Sequence, residues 1–209
     1  MRPRSALLMI GVVAMVSLAC AKRTIVEVPP RMDLYSYNLI GVVQFSTESK
    51  GSLAQFATQR FVEALQESQP GVRVLELGKA EDIKREVKRD NMSFETMRVI
   101  GEHYGVGAVI VGTLDVEDVK PRVDLQSMIV SGSVSADVKA SLTTKIMETS
   151  SGATAWTRSA RTSCTVAQVG MSGGSVRFDA KDPERAYGNM VDALIMDLTR
   201  DFRVSYVSQ

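Results

Sequence analysis

The sequence predicts an α/β domain in which helices pack against one mixed sheet that contains a long antiparallel hairpin. Two nearly continuous apolar runs, at residues 39–45 and 108–114, are typical of strands buried on both faces. Over residues 134–146 apolar and polar side chains alternate instead, which indicates a long antiparallel strand with one face in water. Other segments repeat apolar residues at helical spacing. Together these patterns predict a compact domain of two or three layers.

The first strand and helix are marked by the residues at their ends. Ser52 and Gln55 follow the first apolar run with the three-residue spacing of a capping box, which predicts the start of a helix. Pro70 and Gly71 end that helix. Residues 72–77 then form a second, short strand.

Two more helices are predicted before the second buried strand. Residues 79–90 are strongly charged with few apolar positions, which indicates a surface helix that packs along a thin stripe. Ser93 is placed to cap the next helix at its start. Gly105 is suited to end it in a left-handed conformation.

The alternating strand is followed by a turn, a return strand and a final helix. Ser150–Gly152 supplies the turn. Residues 153–162 are expected to return as the hairpin partner, with Trp156 on the core face. Asp182 is a good N-cap and Pro183 suits the first helical position, so the last helix begins there.

The N-terminal residues indicate secretion with attachment of a lipid. Arg2 and Arg4 precede an apolar stretch over residues 5–19. It is shorter than the about 20 residues of a membrane span and suits the apolar region of a signal peptide. The stretch ends in Ala19-Cys20, which resembles a bacterial lipoprotein signal in which Cys20 is lipidated, for example with palmitate, and becomes the N-terminus. An ordinary secreted protein cleaved nearby is the alternative.

These features divide the chain into three parts. Residues 1–19 are predicted to be a signal peptide, residues 20–37 a lipidated N-terminus and tether, and residues 38–209 a single α/β domain. Ala21 stands where inner-membrane lipoproteins of Gram-negative bacteria have Asp. For a Gram-negative source, we therefore expect the domain to lie at the periplasmic face of the outer membrane.

The composition argues against several classes of function. Lys and Arg number 25 and Asp and Glu 24, so the net charge of +1 lacks the basic excess of a nucleic-acid binder. The chain has one His and two Cys, too few for a zinc site with three or four such ligands. We expect no nucleic-acid partner, no metal and no cofactor.

Single residues give weak signals for catalysis. His103 is expected to be a surface or capping residue, because nothing in the sequence nominates a partner for acid–base work. If Cys20 is lipidated, Cys164 has no partner within the chain. Cys164 is then expected to be a buried small apolar residue, and an intermolecular disulfide is the alternative.

Acidic and glycine clusters are equally weak signals. Asp115, Glu117 and Asp118 are expected on a solvated strand end. The glycines at residues 101–107 and 170–174 lack the pattern of a phosphate loop and fit ordinary turns. We therefore expect a protein that is not an enzyme.

Two long connections are candidates for partner contact. Residues 119–133 and 164–180 exceed the usual connection of about 4–6 residues and carry apolar side chains. They either fold back onto the domain or expose a surface for another envelope protein or a second copy of the chain. The candidate contact residues are Met128, Ile129, Val130, Val169 and Met171.

Two segments carry a family resemblance. Residues 104–113, YGVGAVIVGT, resemble the helix-to-strand passage of the TolB amino-terminal-like fold. Residues 146–156, IMETSSGATAW, resemble the hairpin that follows it there. This superfamily of bacterial lipoproteins includes curli-secretion lipoproteins and lipoprotein activators of penicillin-binding proteins. The resemblance covers roughly residues 38–203, and its loose motifs support fold better than activity.

The resemblance implies a non-enzymatic assembly or adaptor protein anchored to the outer membrane, and it supplies no catalytic residues. Curli-secretion pores insert membrane-spanning hairpins at the two places where this chain has its long connections. An oligomeric secretion-channel component is therefore the alternative. The main hypothesis is a module that binds another envelope protein through its long connections or a sheet edge.

Overall fold

A computed structural model describes two units of the chain. It covers residues 25–91, 93–122, 135–166, 170–172, 175–178 and 180–208, and for residues 118, 119, 121, 122, 170–172, 175, 176 and 208 it describes the backbone alone. One unit is a two-stranded ribbon near the chain ends. The other is an α/β unit over residues 30–203.

The strands and helices follow the predicted order, with short strands added. The strands within the described residues are β1 (Ile25–Val28), β2 (Ile40–Val43), β3 (Lys50–Gly51), β4 (Val74–Gly78), β5 (Ala108–Arg122), β6 (Ser135–Glu148), β7 (Thr154–Val166), β8 (Gly170–Ser172), β9 (Ser175–Phe178) and β10 (Ser205–Ser208). The helices are α1 (Leu53–Ser68), α2 (Ala80–Glu86), α3 (Phe94–Tyr104) and α4 (Pro183–Leu198), and 3₁₀ turns lie at Tyr35–Tyr37 and Thr199–Phe202.

Five strands form the central mixed sheet, in the order β4-β2-β5-β6-β7. β2 runs parallel to β4 and β5, whereas β5, β6 and β7 are antiparallel neighbours. β2 pairs with Ala108–Ile110 at the start of β5, and β6 follows β5 as far as Arg122. The predicted α/β fold, a mixed sheet with a long antiparallel hairpin packed by helices, is confirmed.

Helices cover both faces of the sheet where β2 and β5 pair. Ile40 and Ile110 belong to a core cluster that includes residues of α1 and α4. Val43 and Val109, of the opposite parity, pack with residues of α2 and α3. The two apolar runs are therefore buried on both sides, as their composition predicts.

Further along β5, helices cover only one face of the sheet. Leu114 is buried in the cluster of α1 and α4, but Thr113, Asp115 and Glu117 are exposed on the other face. On β6 the even-numbered residues from Ala136 to Ile146 are buried, in agreement with the predicted alternation. The fold thus has three layers at one end of β5 and two at the other.

Aromatic rings link the sheet, α1 and the C-terminal turn. The ring of Phe61 lies 5.4 Å from that of Phe45 and 6.5 Å from that of Phe202. Trp156 of β7 lies 4.9 Å from Phe202, on the core face as predicted. These edge-on and tilted contacts add to the apolar burial of the core.

Local signals at three helix ends are confirmed. The Ser93 hydroxyl accepts a hydrogen bond from the backbone of Thr96. Gly105 ends α3 with φ +69°, the left-handed region that glycine tolerates. The Asp182 carboxylate accepts from the backbone of Arg185 at the start of α4.

The capping box predicted at Ser52 is wrong. Its side chain makes no capping bond to α1. The Ser52 hydroxyl instead donates to the Phe178 carbonyl at 3.3 Å and lies 2.9 Å from the Tyr187 hydroxyl. β9 passes beside the start of α1 and supplies Phe178, whereas Tyr187 belongs to α4.

The described part of the second long connection folds back onto the domain. β8 and β9 form a small sheet with β3, in the order β3-β9-β8. The Ser52 amide donates to the Phe178 carbonyl at 2.7 Å, and the Phe178 side chain is buried. β9 therefore folds back onto the domain, whereas the partner contact expected at Met171 stays a prediction.

The α/β unit begins earlier in the chain than the predicted tether allows. Leu34, placed in the tether by its sequence, is 1% exposed. The buried Gln69 side chain accepts from the Leu34 amide at 3.0 Å and donates to the carbonyls of Met32 (2.7 Å) and Phe202 (3.1 Å). Residues 30–37 are therefore part of the folded unit, because Gln69 satisfies their backbone groups in the interior.

Asp201 makes a second connection at the same place. Its carbonyl accepts from the Met32 amide at 3.1 Å. Its carboxylate accepts from Trp156 Nε1 at 3.2 Å and from Arg158 at 3.0 Å. Burial raises the pKa of Asp201, but the hydrogen bonds from Trp156 and Arg158, together with the charges of Arg158 and Arg31, hold the pKa below its usual range.

The ribbon pairs β1 with β10 in antiparallel register, from Ile25 opposite Ser208 to Val28 opposite Ser205.

Within the described residues, no helix is both long enough and apolar enough to span a membrane.

Replacing Gln69 by alanine is expected to lower the free energy of unfolding by about 2–3 kcal/mol, because a buried amide and two carbonyls lose their partner. Urea denaturation followed by circular dichroism measures the change. Gln59→Ala is the matched control, since Gln59 is exposed on α1 and its amide donates to Glu63. We expect less than about 0.5 kcal/mol there. Equal losses in both variants would contradict the role given to Gln69.

Candidate functional site

The contact residues named from the sequence fall largely outside the described part of the chain. The residues outside it, which stay predictions, are the lipidation residue Cys20 and the candidate contact residues Met128, Ile129, Val130 and Val169. The backbone of Met171 lies in β8, opposite Val176.

His103 forms a small polar cluster where α2 and α3 end. Its Nε2 lies 2.9 Å from one carboxylate oxygen of Glu86, and the Tyr104 hydroxyl donates to the other at 2.9 Å. The His103 and Tyr104 rings meet edge to face at 4.6 Å. Both Glu86 oxygens are engaged, so this cluster links two helix ends on the surface.

The cluster shifts the acidity of two of its members. Burial, followed by the hydrogen bond to Glu86, raises the pKa of Tyr104 to about 12. Hydrogen bonds from His103 and Tyr104 lower the pKa of Glu86. Tyr104 therefore remains a hydrogen-bond donor, and Glu86 an ionised acceptor, at neutral pH.

Cys164 lies on β7 opposite Val138 and packs, half-buried, against the main core cluster. It is a free cysteine. Burial, and then the charge of Asp137, raise the pKa of its thiol. Because the thiolate is the reactive form, the raised pKa disfavours Cys164 as a nucleophile at neutral pH. The residue packs against the core, as expected, but it is half-buried and not fully buried.

The acidic cluster after the second buried strand is spread along one sheet face. Asp115 is paired in register with Ser141 of β6, and Glu117 with Lys139. Both acids are exposed. In the part of the chain that the structure describes, no group of three or more His, Cys, Asp or Glu side chains is arranged to hold a metal ion.

The glycines at residues 101–107 allow close packing. A Cβ on Gly101 would lie 2.5 Å from the Cβ of Thr149, and one on Gly107 would lie 2.6 Å from the Tyr37 carbonyl oxygen. The Thr149 hydroxyl donates to the Val106 carbonyl at 2.8 Å. These glycines bring the β6–β7 turn and the first 3₁₀ turn against the start of β5.

The longest open feature is the edge of the central sheet at β7. This strand has 13 residues, without Pro or Gly, and pairs with β6. Among the described residues, no strand pairs with its other side. An edge of this kind presents unpaired backbone N–H and C=O groups to an incoming strand.

Beside this edge lies a polar surface, which we call the outer face. Its side chains point away from α1 and α4, they are all charged or hydroxyl-bearing, and they are exposed or half-exposed. The members are Thr113, Asp115, Glu117, Asp137, Lys139, Ser141, Thr143, Ser159, Arg161, Ser163 and Thr165. The Thr143 and Ser159 hydroxyls lie 2.8 Å apart, and Thr165 donates to Asp137 at 2.7 Å. An open surface with many hydrogen-bonding groups suits a protein contact better than an enclosed, mostly apolar small-molecule site does.

The sequence predicts a sheet edge as a possible binding surface, but it does not identify the strand at that edge. The alternation of β6 and the return strand beside it are visible in the sequence. Which strand lies at the edge depends on the order of strands in the sheet, which local periodicity does not contain.

No protein-family model matches the chain, and no curated protein sequence matches it. Several solved structures are similar. The PelC dodecamer from Paraburkholderia phytofirmans is 12% identical with a TM-score of 0.44, over 87% of this chain and 97% of that chain. The LpoB C-terminal domain from Escherichia coli is 14% identical with a TM-score of 0.40, over 64% and 88%.

A third similar structure is the lipoprotein GNA1162 from Neisseria meningitidis. It is 17% identical with a TM-score of 0.34, over 61% of this chain and 83% of that chain. All three are bacterial proteins, and one of them is described as a lipoprotein. The likeness is low in each case.

Replacing Glu86 by glutamine is expected to lower the pKa of Tyr104 from about 12 towards, but not down to, the ordinary value of about 10. The charge and the strong acceptor are removed, whereas the burial of Tyr104 remains. Titration of ¹³C-labelled tyrosine by NMR measures the change. Glu102→Gln is the control, because Glu102 lies on α3 and pairs with Arg98. An unchanged Tyr104 titration in the Glu86 variant would contradict the contact.

Proposed function

We propose that the protein is a lipoprotein anchored to the periplasmic face of the outer membrane, and that it is a non-enzymatic adaptor in the assembly of the envelope or of a surface structure. The observation that carries the proposal is the 13-residue open edge of β7 beside the polar outer face. Its partner is another envelope protein that offers an extended segment.

The edge suits recognition by addition of a strand. A partner strand beside β7 would form backbone hydrogen bonds along its length, which provides affinity with little dependence on sequence. Alternate side chains of β7, from Ser159 to Thr165, lie on the outer face, and Thr157 points to the same side of the strand just before them. These hydroxyls and Arg161 would select among partner side chains.

β7 is held firmly from its inner side. Ala160 is buried against the core. Arg158 donates to Asp197 at 2.9 Å and to Asp201 at 3.0 Å, which ties the strand to α4 and the turn after it. An edge that is already ordered loses little conformational entropy on binding.

The lipid would keep this edge close to the membrane. The folded unit begins at Pro30, and residues 20–30 reach at most roughly 36 Å when extended. Such a tether restricts the adaptor to partners that are themselves at or near the membrane.

The surroundings of the two most reactive side chains support a role without catalysis. Both carboxylate oxygens of Glu86, the partner of His103, already have contacts. Burial keeps the Cys164 thiol protonated. We therefore assign binding, and not group transfer, to this domain.

One observation favours the second candidate, an oligomeric secretion-channel component. β5 and β6 stay paired as far as Arg122 and Ser135, well past the end of the pairing with β2 at Ile110. A channel component would insert a membrane-spanning hairpin here, in the connection between β5 and β6. Light scattering after detergent extraction separates the two functions, because a monomer or dimer excludes a ring and a large ring excludes a simple adaptor.

Lipidation is expected to depend on Cys20 alone. Cells of a Gram-negative host that express the full chain are grown with labelled palmitate. We expect label in the wild-type chain and none in Cys20→Ser. Cys164→Ser is the matched control, because it removes the other cysteine, and it should be labelled like the wild type. Equal label in the wild type and Cys20→Ser would refute the anchor.

Partner capture is expected to require the β7 edge. Cross-linked pull-down from the native envelope is compared for wild type and Thr157→Lys/Ser163→Lys, because added lysines discourage strand addition. We expect capture to fall about tenfold, the equivalent of about 1.4 kcal/mol. Gln55→Lys, at an exposed position of α1, is the control and should capture like wild type. Undiminished capture by a folded β7 variant would exclude the edge.

A further inference from the structure

Exposed apolar side chains concentrate on the ribbon of β1 and β10. Of the nine large apolar residues that are exposed in the described part of the chain, six lie in the ribbon or directly before β10. They are Ile25 (70% exposed), Val26 (37%), Val28 (38%), Val204 (39%), Tyr206 (68%) and Val207 (50%). The other three, Tyr35, Phe94 and Met196, are spread over the α/β unit.

The strand register shows that both faces of the ribbon carry apolar side chains, unlike a typical solvent-exposed surface. Residues directly opposite each other point to the same side. One face therefore carries Val26, Val207 and Val28, and the other carries Ile25 and Tyr206. In the sequence of the two strands, Glu27 is the only charged residue. A ribbon of two short strands is marginally stable in water, so a surface that covers these side chains would stabilise it.

The sequence before the ribbon indicates which surface is near. Ile25 follows Cys20 by five residues, a reach of at most roughly 18 Å. Lys22 and Arg23 lie between them, and basic residues are attracted to anionic lipid headgroups. Tyrosine beside aliphatic residues suits the boundary between headgroups and acyl chains.

We propose that the ribbon of β1 and β10 is a second membrane contact, in which its apolar side chains lie in the interfacial layer of the bilayer that holds the lipid. This inference rests on the proposed lipidation of Cys20, which brings the ribbon to the bilayer. One lipid chain holds a protein only marginally, and a second, reversible contact adds to it. The ribbon is small, so its contact depends on the tether.

The experiment supplies the tether chemically, so that it does not depend on natural lipidation. A chain that begins at Cys20 and carries Cys164→Ser is coupled through Cys20 to a maleimide phospholipid in vesicles of phosphatidylethanolamine and phosphatidylglycerol. Tyr206→Trp, combined with Trp156→Phe, provides a single fluorophore in the ribbon. Tyr35→Trp in the same background is the matched control, because Tyr35 is also exposed but lies in the α/β unit.

Acyl chains brominated near the headgroup are expected to quench the fluorescence of the Tyr206→Trp variant at least about twofold more than that of the Tyr35→Trp control, because the ribbon lies in the interfacial layer. Equal quenching in the two variants would overturn the proposal. Failure of palmitate labelling together with strong quenching in the Tyr206→Trp variant would refute the natural anchor and leave the ribbon's affinity for membranes intact.

A second measurement needs no introduced fluorophore, so the ribbon and Trp156 keep their natural residues. Amide hydrogen exchange of residues 25–28 and 205–208 is compared between the vesicle-coupled chain and the same chain coupled to a soluble maleimide. Slower exchange on vesicles supports the membrane contact. Equal exchange overturns it. Protection that rises with protein concentration in the absence of lipid would also overturn it, because a second copy of the chain would then be the occupant.

Discussion

The buried amide of Gln69 is the constraint on which the α/β unit most depends. Its three hydrogen bonds tie the end of α1 to Met32 and Leu34 at the start of the unit and to Phe202 near its end. Phe202 in turn packs on Phe61 of α1 and on Trp156 of β7. A fully satisfied buried polar group specifies one arrangement, because any other leaves its partners unpaired in the interior.

The same region also sets the position of the β7 edge. The Asp201 carboxylate accepts hydrogen bonds from Trp156 and Arg158, which lie on the same side of β7. The Asp201 carbonyl accepts a hydrogen bond from the Met32 amide at the start of the unit. Burial raises the pKa of the Asp201 carboxyl, but the hydrogen bonds from Trp156 and Arg158 and the charges of Arg158 and Arg31 together lower it. The strand proposed to bind a partner and the start of the α/β unit are therefore held by neighbouring residues.

Along β5 the fold changes from three layers to two, and this change separates the fully covered part of the sheet from the part with an exposed polar face. Where β2 pairs with β5, both faces are apolar and covered by helices. Beyond Leu114 the inner face stays buried, while the outer face carries hydroxyl and charged groups. Each strand alternates its side chains between the two faces, so one set of strands builds a core on one side and a polar surface on the other.

The sequence by itself determined the kind and order along the chain of the four helices and of the five strands of the central sheet, because periodicity and capping are local. The buried runs, the alternation of β6 and the caps at Ser93 and Asp182 all follow from neighbouring residues. Only the tertiary structure decided what depends on residues far apart: the role of Ser52, the burial of Leu34 and the position of β7 at the sheet edge. The edge of the candidate site could not be predicted for this reason, since strand order is set by long-range pairing that no local pattern encodes.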